Sequence, residues 1–172
     1  HLLTMLGQID PLRLSRDNQV DYRLLVNQLR YDQWSATQLQ DWAWNPLVYT
    51  GLAGDALYSL LAREYAPLPQ RLVAVAGRLE KLPRLLEQER ANLALARVPA
   101  IHAETAVKQN PGVLSLVDEL VVPNLKVLPD ADRARLEKAI AGAKAALAEH
   151  QKWLEGTMKP AAKGDFRIGA KL

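Results

Sequence analysis

PLPQRLVAVAGRLEKLPRLLEQERANLALA, residues 67–96, sets Leu68, Leu72, Val75, Leu79, Leu82, Leu86 and Leu93 at alternating steps of four and three, interrupted once where Glu89 stands. Such steps place side chains on one face of an α-helix, so a single apolar seam runs along this stretch. About thirty residues at a 1.5 Å rise would reach roughly 45 Å, more than a small domain is wide. Several partner helices are needed to cover the seam. Pro83 falls inside the run, where it removes a hydrogen bond and costs roughly 3 kcal/mol. Either the helix kinks there, or it ends near Lys81 and restarts with Pro83 in its first turn. The apolar alternation stays in phase from Leu79 through Leu82 to Leu86, so a kinked but continuous helix is the expectation.

The partners lie on both sides. Toward the N-terminus, Ser15 is an N-cap candidate for a helix of about twenty residues carrying Val20, Leu24, Leu25, Gln28, Leu29 and Trp34. Before it, residues 1–9 form a short apolar piece that ends in a turn at Asp10-Pro11. DWAWNP, residues 41–46, breaks the chain with a turn that its aromatic side chains should pin to the core. Helical spacing resumes from Leu47 to Tyr65, where Gly51 and Gly54 suggest a close helix crossing or a bend, since each costs about 1 kcal/mol relative to Ala. Toward the C-terminus, a helix from about Ala100 should stop at Asn110-Pro111-Gly112, and a short apolar one should follow over Val113 to Val122. After a connector bracketed by Pro123 and Pro129, Asp130 or Asp132 caps a last long helix. Its seam is Leu136, Ile140, Ala143, Leu147 and Leu154, with His150 on its polar edge.

The composition agrees with helices. Apolar residues make up 49% of the 172, with a single Phe and with Ala and Leu dominant. The expected fold class is all-α: a multi-helix bundle with a long central helix and a second long C-terminal helix, forming one domain over residues 1–172. A net charge of +3 with both signs interspersed lacks the basic stripe that nucleic acid requires. No Cys is present, so disulfides and thiolate metal sites are excluded. No apolar run approaches the eighteen or so residues of a transmembrane segment.

Catalytic motifs are missing from these residues. His102-Ala-Glu104 is the only His-x-Glu unit, and it lacks both the downstream thiolates of a zinc deaminase and the His-Glu-x-x-His spacing of a metallopeptidase. The expectation is no metal or cofactor in this chain. The carboxylates Asp17, Asp21, Asp118, Glu119, Asp130 and Asp132 stand near helix starts or wet faces, where capping and solvation account for them. The aromatic segment around residues 31–58 serves core packing or lines a groove. Under the groove reading Trp42, Trp44 and Tyr49, with His102, are the lining candidates. The tail MKPAAKGDFRIGAKL, residues 158–172, ends on an apolar segment with no stop signal. Phe166, Ile168 and Leu172 are therefore expected to lie against surface meant for further residues, with self-association where that cover is missing.

Four blocks carry a resemblance: Asp21 to Leu25, the WNPLVY turn at Trp44 to Tyr49, RLEKLPRLLEQERANL in the long helix, and GDFRIGAKL at the end. Taken in order, they resemble the N-terminal helical half of a bacterial family known as domain of unknown function 885. The resemblance covers nearly the whole chain. It implies a secreted, periplasmic or lipoprotein setting and full-length chains similar to zinc peptidases of the gluzincin clan. The zinc-binding His-Glu-x-x-His helix would then lie downstream of Leu172. By this implication the chain is a non-catalytic helical wall that packs on a catalytic half and lines its channel. A stand-alone helical protein-interaction module is the alternative.

Overall fold

The computed structural model describes residues 1–167 and 169. It is all-α. Among the described residues there is no strand, only an isolated parallel bridge between Pro99 and Gly164. By contact the chain separates into two compact units, one built on residues 1–41 and the other on residues 42–167.

The first unit holds α1 (Leu2–Leu6), a 3-10 turn (Pro11–Arg13) and α2 (Arg16–Trp34). Asp10, placed before Pro11, turns the chain by accepting a hydrogen bond from Leu12 N at 3.0 Å, and the Ser15 hydroxyl caps α2 by accepting from Asn18 N. Tyr22 ties the two helices by donating its hydroxyl to the Leu6 carbonyl. The last turn of α2 widens into a π-helical turn (Ser35–Leu39), and Gln40 ends it in the left-handed region at φ 51°. No residue of α1 or α2 is buried, and Leu24 is 63% exposed.

The second unit contains α3 (Leu47–Leu61), α4 (Leu68–Leu79), α5 (Leu82–Asn92), α6 (Ala100–Leu116), α7 (Asp130–Trp153) and α8 (Lys159–Ala161). The continuous kinked helix expected over residues 67–96 is two helices parted at Glu80-Lys81, with Pro83 in the first turn of α5. There Pro forfeits no intrahelical bond, because the first N–H groups of a helix have no partner to lose. The seam nevertheless crosses the break in phase: Leu72, Val75, Leu79, Leu82 and Leu86 are all buried. They pack with Leu136, Ile140, Ala143 and Leu147 of α7 and with Val113 and Val117 near the end of α6. In this unit α3 lies against α4 and α6, and α7 against α4 and α5.

Two turns are held by groups that hydropathy does not reveal. Arg71, buried on α4, donates to the carbonyls of Leu61, Arg63 and Ala66, satisfying the end of α3 and the loop after it. This is where α3 ends, short of the expected Tyr65. In the DWAWNP turn Trp42 is 41% exposed, Trp44 is half-buried against His102 of α6, and Ala43 and Pro46 are buried. Tyr49 holds the turn by donating its hydroxyl to the Trp42 carbonyl at 2.7 Å, and Asn92 donates in turn to that hydroxyl at 3.0 Å.

Helix α6 does not stop at Asn110-Pro111-Gly112. It runs through Pro111 to Leu116 and continues into a π-helical turn (Val117–Val121). Pro111 cannot donate to Val107, four residues back, and the Gln151 side chain of α7 donates to that carbonyl instead, at 3.2 Å. Asn110, buried beside it, donates to Gln151 Oε1 and to the Leu147 carbonyl. The proline's missing bond is thus replaced by a buried polar bridge between helices.

The glycines give a mixed outcome. A methyl group on Gly54 would come within 4.0 Å of Leu116 in α6, which fits a helix contact, but Gly51 faces open space and α3 runs unbroken past it. Neither Asp130 nor Asp132 caps α7 through its side chain; both lie in its first turn, where Asp130 pairs with Arg133. In the tail, Gly164 donates its N–H to the Val98 carbonyl at 2.8 Å, and a Cβ there would meet the Arg97 carbonyl oxygen at 1.9 Å. Phe166 is 51% exposed with the Arg167 guanidinium over its ring. Ile168 and Leu172 lie outside the described residues.

Candidate functional site

The aromatic turn brings the four groove candidates into one neighbourhood of the second unit. Trp42 and Tyr49 are joined by the hydrogen bond described above, and the turn is fastened to the end of α5 by Ala94 N donating to the Ala43 carbonyl. Trp44 stacks on His102 of α6 with ring centroids 5.7 Å apart. Burial holds the imidazole of His102 below its usual pKa, and its Nδ1 is enclosed without a hydrogen-bond partner. Tyr49 is buried and Trp44 half-buried, which leaves Trp42 as the member most open to solvent. The arrangement can stack on a planar or apolar group.

A second cluster lies in the core. Glu89 of α5 and His150 of α7 are 1% and 2% exposed, and Glu89 Oε2 stands 3.2 Å from His150 Nε2. The other atoms of the pair, Glu89 Oε1 and His150 Nδ1, have no hydrogen-bond partner. The His150 ring stacks on Trp153, over which the guanidinium of Arg90 also lies, and Arg90 reaches Glu149 at 2.9 Å. His150 is therefore not on a polar edge. Chemically the pair can share a proton, but its burial gives a substrate no approach.

Sequence reasoning passed over this pair, although both helices carry a mark of it. Glu89 is the single gap in the seam of residues 67–96. His150 completes the other seam, three residues after Leu147 and four before Leu154. Two polar residues standing at core positions of two packed helices are the signal of a buried pair, because a lone buried charge is too costly to keep.

Two grooves open on the surface of this unit. One, of about 430 Å³, runs between α3 and the α4–α5 junction over a floor of Ala53, Leu57, Leu79 and Leu82, with Arg78, Lys81 and Arg84 along its edge. The other, of about 600 Å³, lies between the same junction and α7. Its edge is closed by Glu80 and Arg135, which form a two-pronged ion pair with both N···O distances at 2.7 Å. That hydrogen bond, before all else, holds the Glu80 carboxyl below the usual range. Among the described residues no three His, Cys, Asp or Glu side chains are grouped as metal ligands would be, and no helix is long and apolar enough to cross a membrane.

A family model described as "Bacterial protein of unknown function (DUF885)" matches residues 1–172. A solved structure described as "a putative lipoprotein of unknown function from Shewanella oneidensis" is similar at a TM-score of 0.86 and 30% identity. The match covers 98% of this chain and 31% of that one, so the chain spans about a third of the length of its structural relative. No curated protein matches.

Proposed function

Since the chain belongs to the bacterial DUF885 family along its whole length, we propose that it is the non-catalytic N-terminal helical part of a longer zinc-dependent peptidase. In this role it packs on the half that carries the chemistry and walls its substrate channel. The observation that carries the proposal is the proportion between this chain and the Shewanella structure: the same fold, at a TM-score of 0.86, is there 31% of a larger chain. The peptidase assignment is supported by the sequence resemblance. It draws the zinc ligands from outside these residues. Trp42, Trp44 and His102, held over the buried Tyr49, are the part of the wall proposed to face the channel, and the likeness to a protein described as a putative lipoprotein supports a lipoprotein setting outside the cytoplasm.

The test is the parent gene. A His-Glu-x-x-His sequence downstream of Leu172, one zinc per full-length chain, and peptide hydrolysis abolished by replacing the first His of that motif would bear the proposal out. Residues 1–172 alone should hold no stoichiometric zinc after chelator treatment. A parent that ends shortly after Leu172 would instead favour the stand-alone interaction module, for which the exposed leucines of α2 speak.

A further inference from the structure

The 430 Å³ groove between α3 and the α4–α5 junction is distinguished by the separation of its chemistry. Its floor is aliphatic and its charged lining residues, Arg78, Lys81 and Arg84, are all cationic. Arg78 and Arg84 make no ion pair or hydrogen bond with any described residue, in contrast to Arg71, Arg90, Arg133 and Arg135, each of which is occupied. The three cations come from one short stretch, the last turn of α4 and the first of α5. The N-terminal end of α5 stands at the same place, with no acidic residue in its first turn and no side-chain cap on its free N–H groups. A helix start of that kind favours an anion.

An occupant complementary to this surface is apolar along its body and anionic at one end. The volume is near the lower limit of small-ligand sites, about 300 to 1,000 Å³, which suits a single chain better than a docked helix about 10 Å across. We propose that this groove binds a single-chain amphiphile with a carboxylate head. The aliphatic chain lies along Leu52, Ala56 and Leu85, the apolar lining residues that are open to solvent, and the carboxylate sits among Arg78, Lys81 and Arg84 at the start of α5.

The experiment uses the 172-residue chain with dodecanoate, dodecanol and dodecyltrimethylammonium, each below its aggregation threshold, followed by calorimetry and by methyl chemical shifts. Dodecanoate should bind with a stoichiometry of one, more tightly than dodecanol, and the trimethylammonium compound should bind weakest. Affinity should rise about fourfold for each methylene added until the chain fills the groove. The double variant Arg78→Gln, Arg84→Gln should lose tenfold or more for dodecanoate and little for dodecanol; both positions are exposed, and an unchanged circular dichroism spectrum checks the fold. Ala56→Trp, which fills the groove from α3, should weaken both ligands. The proposal is overturned if dodecanoate does not bind, if it binds no better than dodecanol, if the double variant leaves the difference intact, or if the shifted methyls lie away from Leu52, Ala56 and Leu85.

Discussion

Glu89 and His150 show what a single side chain can mean in a core of this kind. Removing one partner of a buried pair leaves the other uncompensated, at a cost of about 3 to 5 kcal/mol, whereas replacing both by apolar groups of similar size is often neutral or better. Urea denaturation should therefore find Glu89→Ala strongly destabilised and the double variant Glu89→Leu, His150→Phe close to the parent. His102 is a different case, half-buried and stacked on Trp44. Its pKa is lowered by burial, so the unfolded chain takes up a proton at higher pH than the folded one. The stability it contributes is complete above the ordinary imidazole pKa of about 6.5 and is lost as pH falls through that value toward the depressed one. A proton NMR titration should place the His102 midpoint below the ordinary imidazole value of about 6.5, and Trp44→Ala should move it back up. At this scale the sequence displayed the anomalies but not their pairing, because Glu89 and His150 meet only once α5 has docked on α7.

The helices themselves were legible because hydrophobic periodicity reports which face is buried, and the seams of α4, α5 and α7 are buried as their spacing requires. Periodicity does not report the backbone ladder. At Lys81 the seam continues while the helix does not; at Pro111 the helix continues where a stop was expected. The difference lies in partners remote in sequence, above all Gln151, which takes over the carbonyl that Pro111 cannot serve. Gln151→Leu should leave that carbonyl without a partner, remove one of the two bonds donated by the Asn110 amide, and cost about 1 to 3 kcal/mol. In a Pro111→Ala background the loss should be smaller, since Ala restores an N–H to the Val107 carbonyl. A double-mutant cycle read by thermal unfolding detects that coupling, and strictly additive effects would contradict it.

At the scale of the molecule, burial is uneven. The second unit has the core, while α1 and α2 carry Leu2, Met5, Leu24, Leu25 and Tyr31 in the open. Exposed apolar groups this numerous favour association, so the apparent mass of the 172-residue chain in light scattering should rise with concentration. Leu24→Glu with Leu25→Glu should hold it at the monomer mass. A parent chain that extends beyond Leu172 and covers this helix should behave as that variant does. The fold class could be read from composition and spacing. The role of the open helix could not, because an uncovered seam and a covered one have the same sequence pattern.

Gly164 sets a limit on which sequences this backbone can accept. Its close approach to Arg97 leaves no room for any side chain, since even a methyl carbon would overlap the carbonyl of Arg97. Gly51, Gly112, Gly142 and Gly156 face open space. A saturation library selected for folding should therefore be nearly blank at position 164 and well populated at those four. The contact that fastens the tail beside Val98 would then appear as one intolerant column among glycines that are individually dispensable.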